Sequence, residues 1–140
     1  RRLGGITTVL QLLCTHADRI LQAARLIGPS ASAALPGVRK AAKDLERSVL
    51  VAETCASVLA GAAMDVDMAA TVLREATFPN ALFAWFIEFP SAVEALAGDT
   101  ESSSGRACVE TCEHVGRVVR VHLASTMRFC VDAEHGVQSL

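Results

Sequence analysis

Residues 37–64, GVRKAAKDLERSVLVAETCASVLAGAAM, decide the fold. Val38, Ala42, Leu45, Val49, Ala52, Ala56, Leu59 and Ala63 recur at alternating steps of four and three, the spacing of one helical face. The segment predicts a rod roughly 40 Å long. Arg39, Lys40, Lys43, Asp44, Glu46 and Arg47 give its first half a solvated outer face. Beyond Ser48 the outer face turns apolar, with Leu50, Val51, Cys55 and Val58. A helix that is apolar all round needs cover on every side. The rod is therefore expected to start at the surface and end inside, with the rest of the chain organised around it.

Working outward, 140 residues predict a single helical domain, 1–140, large enough to bury a real core. Thirteen basic and 15 acidic residues give a net charge of −2, which leaves no electrostatic footprint for nucleic acid. The hydrophobic fraction of 51% is high for a soluble monomer. It implies either a core rich in small residues or apolar surface covered by a partner. The chain opens Arg1-Arg2-Leu3 without an initiator Met, which reads as a processed product or an excerpt of something longer. The most apolar run, Ser48 to Met64, is short of the about 20 apolar residues of a spanning helix, so it is read as a buried core helix. Membrane contact is not expected. Five cysteines, an odd number lying mostly on apolar faces, read as reduced and packed thiols, hence an intracellular chain, cytoplasmic or, after removal of a transit peptide, in an organelle.

Ahead of the rod, Ile6, Val9, Leu10, Leu12 and Leu13 make a short helical face. Thr15-His16-Ala17-Asp18 has the form of a capping box opening a second helix, which Gly28-Pro29 stops. Ser30 to Leu35 with Pro36-Gly37 reads as a linker. The block Gly4 to Leu13 followed by Ala17 to Ala24 resembles an armadillo repeat: a Gly-Gly-Ile start, paired leucines, a polar turn, then a helix carrying Gln22 and the small Ala24. The resemblance covers about 25 residues and implies stacked helices whose groove holds a protein segment.

After the rod, Asp65 is positioned to cap a helix over Val66 to Ala76. The cluster Phe78 to Pro90 holds four of the five phenylalanines and the only tryptophan, with Pro79 near the start and Pro90 at the end bracketing a helix of about ten residues. Leu82, Trp85, Phe86 and Phe89 fall on one face of it, either as core or as an anchor for a partner. Ser91-Ala92-Val93-Glu94 opens a short helix, and Gly98 to Gly105 reads as a flexible loop. Cys108, Cys112, Val115, Val119, Leu123, Met127 and Cys130 stripe the last helix, Arg106 to about Val131, before a frayed tail.

Chemistry is sparse. Cys108 and Cys112 share a helical face, but His114 lies about 160° away from Cys112 and zinc needs four converging ligands. Asp65 and Asp67 lack the further ligands of a calcium loop. Arg117, Arg120 and Arg128 form no stripe for nucleic acid, and Gly4-Gly5 carries no phosphate-loop lysine. No catalytic, cofactor or metal residues are assigned. The sequence predicts an all-α protein, an antiparallel bundle or an armadillo-like stack of six to seven helices, which binds protein. Its expected contact residues are Phe83, Trp85, Phe86, Phe89, Leu50, Val51 and Val58. The alternative is a structural subunit of a larger assembly with a permanently covered exterior, in contact with a membrane in one form of that reading.

Overall fold

Thr15 does not open a helix. In the computed structural model, which describes residues 2–28, 36–100 and 102–139, one continuous helix, α1, spans Arg2–Ile27. Ile6, Leu10, Leu13, Ala17, Ile20, Ala24 and Ile27 are all buried, at unbroken steps of four and three. That stripe runs straight through the apparent capping box and outweighs it, because breaking the helix there would turn half the stripe away from the core. Four further helices follow among the described residues: α2 (Pro36–Ala62), α3 (Val66–Arg74), α4 (Thr77–Asp99) and α5 (Ser103–Ser139). The expected linker from Ser30 to Leu35 lies outside the described residues, whereas Pro36 and Gly37 already belong to the first turn of α2.

The count is five rather than six to seven, and no strand occurs among the described residues. Three predicted boundaries disappear. The Ser91 box lies inside α4. The loop from Gly98 to Gly105 shrinks to a corner in which the Ser102 hydroxyl accepts the Gly105 N–H at 3.1 Å and the Thr100 hydroxyl donates to the Leu96 carbonyl at 2.7 Å. Gly105 is required there, since a Cβ would stand 2.9 Å from the Gly28 carbonyl and overlap Thr100. The tail remains helical to Ser139.

The central rod is α1, which packs against every other helix, and not α2, which packs mainly on α1 and α5. His16 meets Ser48 near mid-length while Leu26 borders the same cleft as Lys40, so α1 and α2 run antiparallel. Small residues are buried along both helices, Ala17, Ala23 and Ala24 on α1 and Ala41, Ala52 and Ala56 on α2, and Ala23 and Ala41 border the cleft between them. Beyond Ser48 the outer face of α2 is covered only in part: Cys55 is buried and Val51 half-buried, whereas Leu50 and Val58 stay exposed. Asp65 does cap α3, its carboxylate accepting the N–H groups of Asp67 and Met68 at 2.9 and 3.1 Å. The Thr7 hydroxyl donates to the Glu75 carboxylate at 2.8 Å, tying the end of α3 back to α1.

Pro90 was expected to end a helix, yet α4 continues through it. The inward residues Ala81, Trp85, Phe89 and Val93 come at steps of four, and in a regular α-helix each such step over-rotates by about 40°. The chain compensates by widening over Ala84–Glu88 into a π turn, in which the Phe89 N–H bonds to the Ala84 carbonyl five residues back. In that register the Trp85 carbonyl would await the N–H of residue 90, and proline has none. Arg120 of α5 supplies the missing donor, its Nη1 lying 3.3 Å from the Trp85 oxygen. Gly116 makes room for this arrangement: a Cβ there would stand 2.8 Å from Arg120 Nη1 and 3.1 Å from the Phe89 ring.

Gly61→Ala, where a Cβ meets nothing within 4 Å, should stabilise the protein by about 0.5–1 kcal/mol in urea unfolding. Gly116→Ala gains the same propensity but overpacks Phe89, so a net loss of about 1 kcal/mol is expected. Arg120→Ala should cost about 1–3 kcal/mol by orphaning the Trp85 carbonyl. In a Pro90→Ala background the restored N–H can reach that carbonyl, and a double-mutant cycle should show coupling of at least about 0.5 kcal/mol.

Candidate functional site

The contact residues expected from the sequence divide into two groups. Trp85 and Phe89 are 0% and 1% exposed. Their rings sit 4.6 Å apart, and the Trp85 indole N–H donates to the Leu13 carbonyl of α1 at 3.0 Å. They are core, not contact residues, because the π turn keeps both on the inward face of α4. Phe83, Phe86 and the unlisted Ile87 are exposed on the opposite side of α4. A regular wheel at about 100° per residue puts Phe86 with Trp85 and Phe89; the π turn rotates it outward. On α2, Leu50 and Val58 are exposed and Val51 is half-buried.

Helix α4 is also, among the described residues, the one segment long and apolar enough by length and composition to cross a membrane. The run from Ser48 to Met64, weighed for that role from sequence, does not meet the same measure. A cleft of about 730 Å³ lies between α2 and the start of α5, with Val38, Leu45, Val49, Ala107 and Cys108 on its walls and Arg39, Lys43 and Glu46 around them.

The thiols are free, and four of the five are buried. The hydrogen bond from Cys112 pulls the Cys108 thiol below its usual value, while the same bond and burial push Cys112 up. His114 is exposed and stands apart from this pair, and no three His, Cys, Asp or Glu side chains gather into a metal-binding group among the described residues. The Cys130 thiol donates to the Ala69 carbonyl, joining α5 to α3.

A polar pair was missed from the sequence. His16 Nδ1 and Ser48 Oγ lie 3.0 Å apart, both buried between α1 and α2, and they border a cleft of about 380 Å³. Each residue sits on an apolar stripe, His16 beside Ala17 and Ser48 between Leu45 and Ala52. A polar residue on such a stripe signals a partner across the interface. Only the antiparallel pairing of α1 with α2 reveals which partner.

No family model, no curated protein and no solved structure matches this chain.

Burial, and secondarily the Arg19 guanidinium, hold the His16 imidazole below its ordinary value. The unfolded chain therefore takes up a proton that the folded state resists, once the pH falls below about 6.5. Stability declines from there until the folded ring itself titrates. Between about pH 7.5 and 5.5, the urea midpoint of the wild type should fall further than that of His16→Gln.

Proposed function

We propose that this domain is a non-catalytic protein-binding module whose main contact is the outward face of α4, with Phe83, Phe86 and Ile87 as anchors. The observation that supports it is the exposure of these three large apolar side chains on adjacent turns, while the inner face of the same helix is fully engaged through Trp85 and Phe89. Core completion does not require them, and contiguous exposed apolar surface of this kind marks interaction sites. Leu50 and Val58 on α2 extend the set to a second helix. The armadillo-like pattern lies on a segment that folds as one helix, so the reading leans on exposed surface and not on a repeat stack. Five free thiols, four of them buried, suit a reducing compartment.

The length and apolarity of α4 favour one second reading, a subunit whose exterior is permanently covered in a larger or membrane-bound assembly. Light scattering on the isolated chain separates the two. A monodisperse monomer fits the module, and aggregation relieved only by detergent fits the subunit.

A photo-crosslinking phenylalanine at Phe83 should give a discrete adduct in a native extract, and one at exposed Glu110 should not. Ile87→Glu should abolish the adduct while changing stability by less than about 0.5 kcal/mol. Equal, diffuse labelling from both positions would remove the proposal.

A further inference from the structure

We propose that the cleft between α1 and α2 binds a small dianion of phosphate-monoester or dicarboxylate chemistry, with His16 donating from its floor and Arg19, Lys40 and Arg47 supplying charge at its rim. The floor is built. His16 and Ser48 are 7% and 5% exposed, and their mutual contact is 3.0 Å. When the Ser48 hydroxyl donates to Nδ1, the neutral ring carries its proton on Nε2. That nitrogen has no hydrogen-bond partner among the described residues, and no fully buried side-chain nitrogen or oxygen lacks one. Nε2 is therefore open, and the opening beside His16 is the cleft.

The rim is unbalanced. Three cations and one carboxylate, Asp44, border the cleft. Asp44 lies one turn from both Lys40 and Arg47, yet no ion pair within 4.0 Å joins any of the three cations to a carboxylate among the described residues. Cations held near one another without partners attract a dianion more strongly than any one of them would alone. A volume of about 380 Å³ falls in the range of small-molecule sites. Ala23, Leu26 and Ala41 offer a short apolar wall for the body of the ligand.

The same geometry argues against a nucleophilic serine. Ser48 lies mid-helix, where the surrounding backbone N–H groups are committed to the α2 ladder and none is free to stabilise an oxyanion. A bound dianion would also oppose the burial and the Arg19 charge that keep His16 neutral, with Lys40 and Arg47 facing it from α2 and Asp44 working the other way. Binding should therefore take up a proton near neutral pH.

The test is a ¹H–¹³C NMR titration of the His16 ring, its signal assigned with His16→Gln, using inorganic phosphate and succinate in separate arms. Sodium chloride at matched ionic strength is the control. A saturable shift of the His16 signal is expected with phosphate, with succinate or with both, and the responding arm names the chemistry. The ring pKa should rise on saturation, and Arg19→Gln combined with Arg47→Gln should weaken binding at least about tenfold. A response equalled by chloride, retained in the double variant or absent from both arms overturns the proposal. Failure here leaves the α4 surface reading untouched, because the two sites share no residue.

Discussion

Helix α4 must keep one face on α1 through three successive steps of four residues, a demand that a regular α-helix cannot meet. The π turn at Ala84–Glu88 answers it, and other features of the molecule depend on that answer. Trp85 reaches α1 and Phe89 lies against α5 at Gly116, Pro90 is accommodated without a break, and the carbonyl it leaves behind is taken up by Arg120. Gly116 on α5 is the counterpart that lets the Phe89 ring and the guanidinium lie against the backbone. The same extra residue turns Phe86 outward. One local change in winding thus completes the core and furnishes an exterior apolar face.

The all-helical character was legible because it is written in repeated steps of three and four, and such stripes survive small errors of register. Val38, Leu45, Ala52, Ala56 and Leu59 are buried as their spacing predicts, and so are Cys108, Cys112, Val115, Val119, Leu123 and Cys130. Asp65 was legible as a cap because its carboxylate acts on its own neighbours. Boundaries were less legible. Thr15-His16-Ala17-Asp18 and Ser91-Ala92-Val93-Glu94 have the composition of caps, but long-range packing overrules a local signal worth about 1 kcal/mol. Met127 was expected inside, yet Thr126 is the buried residue, its hydroxyl satisfied by the His122 carbonyl one turn back. A helical wheel carries no information about that local hydrogen bond.

Of the candidate contacts, Phe83, Leu50 and Val58 were legible as outward residues, while Phe86 and Trp85 could not be told apart without the π turn. The His16–Ser48 pair was hidden for another reason. Its partners are 32 residues apart, and their meeting depends on the register of two antiparallel rods. Composition had pointed to surface apolarity as the functional signal. The polar cleft adds a second and chemically different one, between α1 and α2.

The buried alanines of α1 and α2 set how the protein tolerates change. Every amino acid one nucleotide away from an alanine codon is larger, glycine excepted. Point changes at Ala17, Ala24, Ala52 or Ala56 therefore mostly add bulk at positions that are already buried, and overpacking is not relieved by collapse in the way a cavity is. Most genetic drift at these positions forces the neighbouring helices to give way. Purifying selection should accordingly fall on the smallest buried side chains of this fold, and not on its largest alone.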